Sequence, residues 1–363
     1  MRRLLVAFMA TFLVLSPKLA AEADDIVYFP DPFFKKVLVN MEYYMGERID
    51  LNYDGEIQYS EAEAYIHSLD ISFAGDSITD LTGIKAFINI GEIWLERCPG
   101  LTTVDLSGMV NLRKVNLKNN PNLFRLNVAD CINLKELQCQ ENKLNYLNLE
   151  NCKNLNSIWP NKNALTNINI EDCPHIQYIF AGYNKLTNID LSKSEELRRL
   201  QIHGNVLLFL DVSSIAKLDQ LWVSDNKLNK LNLRNSYNTI LTSFKSTNNP
   251  NLKCISVDDA AYSKQNWKEI DEWTEFSEDC STSVNDKQPN TFKVYPNPSY
   301  NSVTIERDGI EQADLKILDI TGRIFISYTI PYGANHIQLD ISRLSIGNYI
   351  IEINNETQSL IIE

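Results

Sequence analysis

Leu134-x-x-Leu137-x-Cys139-x-x-Asn142-x-Leu144-x-x-Leu147 sets a spacing of apolar residues that recurs through the middle of the chain. The frame returns every 21 residues, at Leu155, Ile176, Leu197 and Leu218. Copies starting at Ile90 and Leu112 are one residue longer, with a Pro-x-Leu insertion after the ninth position, and the copy at Leu241 carries the same insertion. These eight copies follow a degenerate one over residues 69–81. A fixed period dictates a stacked array: one unit cannot bury its apolar side alone, so neighbours bury it together. A unit of 21 residues leaves little room for a helix, so the side opposite the leading strand should be extended chain or short turns. The second half of each unit repeats the apolar spacing, as in Leu144-x-x-Leu147-x-Leu149.

Asn120, Asn142, Asn163, Asn184, Asn205, Asn226 and Asn249 hold the ninth position of successive units, where the earliest full copy has Cys98. An amide there can pair with backbone groups that stacking would otherwise bury, which makes the series structural rather than catalytic. Cys131, Cys152 and Cys173 share one place in the second half of consecutive units and should form a column of small buried side chains.

The residues flanking the strand's apolar positions should face solvent. In the fifth position stand Trp94, Asn116, Gln138, Trp159, Phe180, Gln201, Trp222 and Lys245, with Tyr178 at a third and His203 at a seventh position. So many large aromatics in one solvent-facing column exceed what a soluble surface needs, and rigid aromatics are favoured anchors at interfaces. Trp94, Trp159, Tyr178, Phe180, His203 and Trp222 are therefore the candidate ligand face. The alternative is that the rings cover one another along the sheet.

The sharpest local motif is DLNYDGEIQYSE, residues 50–61. It has the spacing of an EF-hand loop, and Ca²⁺ needs six to eight oxygens. Asp50, Asn52 and Asp54 would offer side-chain oxygens, Glu56 its carbonyl, Gln58 a direct or water-mediated contact and Glu61 a bidentate carboxylate, with Gly55 permitting the turn. Residues 32–48 and 60–68 can both be helical, as the motif requires. One structural calcium ion is expected, the alternative being an acidic turn between two helices.

Around this core, Arg2 and Arg3 precede an apolar run from Leu4 to Leu15 and small residues up to Ala23, which reads as a signal peptide over residues 1–23. The run is too short to span a bilayer and no later stretch is longer, so no membrane span is expected. The net charge is −13. Such a balance makes nucleic acid an unsuitable partner, because phosphate binding relies on a basic footprint. Seven cysteines in an exported chain leave at least one unpaired. Cys254 and Cys280 bracket a segment rich in Tyr262, Trp267, Trp273 and Phe276 and are expected to form a disulfide. No G-x-S-x-G, H-E-x-x-H, P-loop or dinucleotide fingerprint occurs, so an enzyme is not expected.

The repeat pattern L-x-x-L-x-L-x-x-N-x-L resembles the leucine-rich repeat, in which each unit lends a strand to a parallel sheet lining a solenoid. The block DGEIQYSEAEAYIHSLDIS with ITDLTGIKAF, and the segment of residues 249–280, resemble the N- and C-terminal caps of internalin-like leucine-rich-repeat proteins of Bacteroidota. Residues 291–363, through VYPNPS (294–299), ILDITGR (317–323) and Leu344 with Gly347-Asn348-Tyr349, resemble the C-terminal sorting domain of type IX secretion. That resemblance implies export across both membranes of a Gram-negative cell, commonly followed by removal of the domain and attachment of the remainder to surface lipopolysaccharide.

The expected architecture is mainly β: signal peptide 1–23, helical EF-hand-like cap 24–68, leucine-rich repeats 69–257, C-terminal cap 258–280, polar linker 281–290 and β-sandwich 291–363. The expected function is a secreted or cell-surface, adhesin-like binding protein for a protein or glycan, which also engages the type IX machinery. A structural surface-layer component and a glycan-active enzyme are the alternatives.

Overall fold

The computed structural model describes residues 25–41, 48–72, 77–280, 292–307, 312–319, 322–354 and 356–362. The expected signal peptide and the linker lie outside the described residues. Nine strands pair in parallel, in chain order, into one sheet: Leu69–Asp70, Glu92–Trp94, Lys114–Asn116, Glu136–Gln138, Ser157–Trp159, Tyr178–Phe180, Arg199–Gln201, Gln220–Trp222 and Ser243–Lys245. The first of these comes from the degenerate unit. Each strand's central residue, from Ile93 through Val115, Leu137, Ile158, Ile179, Leu200 and Leu221 to Phe244, points into one continuous core.

The opposite side is more ordered than the unit length suggests. Thr103–Asp105, Arg125–Asn127 and Tyr146–Asn148 form a second parallel sheet, and Phe209–Asp211, Lys230–Asn232, Cys254–Ser256 and Glu275–Ser277 a third. The duplicated apolar spacing explains them, since it places Leu126, Leu210 and Leu231 inward just as in the first half. Between these two sheets the C-terminal sandwich meets the solenoid, where Asn188 Nδ2 donates to Ser359 Oγ at 2.7 Å and Asn348 Nδ2 to Thr166 Oγ1 at 3.3 Å.

What permits stacking is the asparagine ladder. Asn205 accepts from the Leu186 amide at 2.9 Å and donates to Ile202 O in its own unit and Ala181 O in the preceding one, at 2.9 and 3.1 Å. Asn184 and Asn226 repeat this pattern. Each side chain thereby satisfies one donor and two acceptors that no strand partner reaches. In the longer units, where proline follows the ninth residue, the donated amide is that of the ninth residue itself, Cys98 N to Asn120 Oδ1 at 2.7 Å and Asn120 N to Asn142 Oδ1 at 2.6 Å, whereas in the shorter units it belongs to the residue two further on. The ladder ends on Asp271, whose carboxylate accepts from Asn248 N and Asn249 N at 2.7 and 2.8 Å. At the other end Cys98 replaces asparagine, its thiol donating to Ile71 O at 3.3 Å.

Caps close both ends of the core. The N-terminal cap holds helices Pro32–Val39 and Tyr59–Ala64, both shorter than expected. Asp31 caps the first, accepting from Phe33 N and Phe34 N, while its other oxygen accepts from Thr79 N at 2.7 Å, so the cap is tied to the array. At the C-terminus, helix Ala260–Asn266 presents Trp267, which stacks near Phe244 and Phe276 and donates to Leu241 O at 3.0 Å. The expected Cys254–Cys280 disulfide is formed and ties the final strands together. The other cysteines are buried thiols outside any disulfide; burial pushes the thiol of Cys131 up to about 11 and those of Cys139 and Cys173 to about 12. Cys131 and Cys152 donate to Leu106 O and Val128 O of the preceding units, so the expected column is a packing element of neutral thiols.

The C-terminal domain is two antiparallel sheets. One joins Phe292–Tyr295, Ser302–Arg307 and His336–Asp340; the other orders Ile324–Ile330, Ala313–Asp319, Gly347–Ile353 and Glu356–Ile362. Alternating residues, among them Val303, Ile305, Leu315, Ile317, Ile351 and Leu360, fill the space between them.

Substituting Asn205→Ala should lower the free energy of unfolding by ~3 kcal/mol in a urea titration, because it strands buried backbone groups in two adjacent units. Unchanged stability would contradict the ladder's role.

Candidate functional site

The parallel register brings the fifth positions into one row: Gln138 opposite Trp159, Phe180 opposite Gln201, Gln201 opposite Trp222, and Trp222 opposite Lys245. Trp159 and Phe180 lie on adjacent strands with ring centroids 4.3 Å apart at a 39° tilt. They cover one another in part, as the alternative reading held, and both stay half-buried. Trp159 Nε1 donates to Ser157 Oγ at 2.7 Å and Trp222 Nε1 to Ser243 Oγ at 2.9 Å, which fixes each indole plane. Lys245 Nζ sits 4.8 Å from the Trp222 ring centroid, a cation–π contact on that side.

Beside this row the chain leaves the sheet through a tight turn at the eighth position. That residue is left-handed in every full unit: Arg97, Asn119, Glu141, Lys162, Tyr183, Gly204, Asp225 and Asn248. The turn throws seventh- and eighth-position side chains over the edge of the aromatic row. His203 packs edge-on against Tyr183 at 4.9 Å and lies 6.1 Å from Trp222. Two glycines make room: a Cβ at Gly182 would stand 2.7 Å from the His203 ring, and one at Gly204 2.6 Å from the Tyr183 ring.

The result is a groove of about 530 Å³ whose walls are Gln140, Glu141, Trp159, Asn161, Lys162, Phe180, Gly182, Tyr183, Gln201, His203 and Trp222. Of the expected face it brings together Trp159, Phe180, His203 and Trp222. Trp94 lies three strands from Trp159, under Lys114 at 5.0 Å, and is no part of it. Tyr178 lies outside too, with the Arg199 guanidinium over its ring. Asn116, expected to face solvent, is fully buried and accepts from Lys118 N, which corrects its placement. Sequence reasoning missed Gln140, Asn161, Tyr183 and Lys162, because attention to strand positions passed over the turn; the Gly182–Gly204 pair was the available signal.

The groove's charges cancel, Lys162 Nζ meeting Glu141 Oε1 at 2.6 Å. Two buried atoms, Gln140 Oε1 and His203 Nδ1, have no hydrogen-bond partner in the protein. Burial, the largest influence, holds the His203 imidazole below its usual pKa against the pull of Asp225, with Lys245 adding to the lowering.

The acidic loop makes a second candidate site. Asp50 Oδ2 accepts from Gly55 N at 3.1 Å, and Gly55 is left-handed at φ 79°. Asp54 Oδ2 accepts from both Asn52 Nδ2 and Gln58 Nε2, at 2.9 and 2.8 Å, while Glu61 accepts from Leu51 N, Asn52 N and Gln58 N. Asp50 Oδ1 is buried without a partner, an oxygen suited to a cation. The donor set fits a hard cation only once the Asn52 and Gln58 amides turn their oxygens inward, and among the described residues no three His, Cys, Asp or Glu side chains are grouped as a preformed metal cluster. The Glu56 side chain turns away to Lys35 at 2.5 Å, which leaves its carbonyl as the only group it could offer.

Residues 293–363 match the family described as the secretion system C-terminal sorting domain, the type IX tail, which makes this a secreted or cell-surface protein. Among the described residues no helix is long and apolar enough to cross a membrane. No curated protein sequence matches the chain. Among solved structures it is similar to the functional domain of InlJ from Listeria monocytogenes, which includes a cysteine ladder, with 17% identity over 85% of this chain and 93% of that one and a TM-score of 0.37. It is also similar to InlP of the same organism (14%, 93% and 100%, TM-score 0.35) and to the leucine-rich-repeat domain of LRIM1 (17%, 60% and 66%, TM-score 0.40).

A folded-state pKa below the unfolded value of about 6.5 means that the unfolded chain binds more protons between those limits, so the His203 contribution is complete above that range and is lost as pH falls through it. Unfolding free energy should therefore decline less between pH 7 and pH 5 in His203→Gln than in the unaltered chain; identical declines would contradict the burial of this imidazole.

Proposed function

We propose that this protein acts by recognition rather than catalysis: the C-terminal sandwich directs export, and the solenoid binds a protein or glycan, adhesin-like, in the groove between Trp159 and Trp222. The observation that carries the reading is the pairing of half-buried aromatics with two buried, unpartnered polar atoms in one concavity. Burying such atoms unpaired is unfavourable, and a ligand that hydrogen-bonds them recovers the loss on binding. An array printed with glycans and purified extracellular proteins tests it. Signals given by the full chain should vanish in a Trp159→Ala, Phe180→Ala, Trp222→Ala variant whose far-ultraviolet spectrum is unchanged. Signals that survive would show that binding lies elsewhere.

A second reading, calcium in the loop of Asp50, Asn52, Asp54, Glu56, Gln58 and Glu61, is favoured by the unpartnered Asp50 Oδ1. The ion would neutralise the loop's carboxylates and stiffen the cap beneath the first repeat, a structural role. Calorimetric titration should give one site, with affinity on the order of 10⁻⁴ to 10⁻³ M as in extracellular modules, lost in Asp54→Ala with Glu61→Ala. Absence of heat in the unaltered chain would reduce the loop to an acidic turn.

A further inference from the structure

The groove's chemistry narrows what it can hold, and this inference rests on the reading above that the groove is the binding site. We propose that its ligand is an uncharged, hydroxyl-rich glycan, with one sugar ring stacked on the Trp159–Phe180 pair and a second on Trp222.

Size is the first argument. A volume of about 530 Å³ falls in the range of small-ligand sites. A protein partner would need roughly 800 Å² of its own surface covered, more than a groove of this size provides by itself. Charge is the second. Glu141 and Lys162 are spent on one another, and the other polar walls are the amides Gln140, Asn161 and Gln201, the Tyr183 hydroxyl and the His203 imidazole, whose burial disfavours its charged form. Nothing in the groove compensates a charged ligand.

Hydrogen-bond inventory is the third argument. Gln140 Oε1 needs a donor, while His203 Nδ1 needs either a donor or an acceptor according to its tautomer. A hydroxyl supplies both roles, and neighbouring hydroxyls on one ring can serve both atoms. The aromatic geometry is the fourth. Phe180 and Trp222 stand two strands apart, which at about 4.8 Å per strand separates their rings by roughly 10 Å, the spacing of the first and third rings in an extended oligosaccharide. The negative face of an aromatic ring attracts the polarised C–H groups on the flat side of a pyranose. Their indole and phenyl planes are already fixed by packing and the serine hydrogen bonds, so little freedom is lost on binding.

Calorimetric titration of the full chain with cello-, xylo-, manno- and chitohexaose, and with hexagalacturonate as the acidic counterpart, tests the proposal. At least one neutral hexasaccharide should bind, roughly tenfold or more weaker in Trp222→Ala and in the near-isosteric Gln140→Leu, and unchanged in Trp94→Ala. Silence from all four neutral sugars, binding of the acidic one alone, or equal affinity in the Trp222→Ala and Gln140→Leu variants would overturn it. If the sugars are silent while array proteins are still bound through the three aromatics, the glycan falls and the groove stands; if those array signals also survive the triple substitution, both fall.

Discussion

Every unit of this solenoid must bury a turn, and a turn carries backbone groups that no strand partner can satisfy. The ninth-position amide solves this by donating to carbonyls of its own and the preceding unit while accepting one N–H, as Asn205 does from Leu186. The rest follows from that constraint. With the turn satisfied, units stack at strand spacing, the apolar columns close, and the fifth positions fall into register. The left-handed eighth residue is a consequence of the same turn, and it is what lifts Gln140, Tyr183 and His203 beside the aromatic row. The groove is thus a by-product of the way the array satisfies its backbone.

The ladder's ends show how general the requirement is. Where no further unit follows, Asp271 replaces an amide with a carboxylate, because only acceptors are needed there. Where the array begins, Cys98 donates through its thiol to Ile71 O and Glu96 O. A second ladder serves the opposite corner. Asp105, Asn127, Asn148, Asn169, Asp190, Asp211 and Asn232 each accept from the amide two residues on, as Asn127 does from Ala129. A third, through Asn111, Asn133 and Asn154, donates to the carbonyls of Ile88, Val110 and Ile132 one unit earlier.

Much of this was legible in the sequence because periodicity is a one-dimensional signal. The leucine frame, the first asparagine ladder and the thiol column declare themselves by spacing, and the C-terminal domain by its resemblance to a known sorting domain. The strands opposite the main sheet were hidden because unit length argues only against a helix, and extended chain becomes a sheet once Leu126 and Leu147 come into register across units. The groove was half legible. Trp159, Phe180 and Trp222 are visible as a column, but whether Trp94 joins them depends on what stands between, and Asn116 turns out to be buried. Tyr183 and Gln140 enter through turn geometry, which apolar spacing does not encode. In the cap, Asp31 fixes the first helix through Thr79, forty-eight residues on, a pairing that local propensity cannot foresee.

The chain's five tryptophans offer the most direct view of the groove. In a ¹⁵N–¹H spectrum of the full chain, a bound neutral hexasaccharide should shift the indole resonances of Trp159 and Trp222 and leave those of Trp94, Trp267 and Trp273 in place. Shifts confined to Trp94 or to the cap tryptophans, with Trp159 and Trp222 unmoved at saturation, would contradict the account.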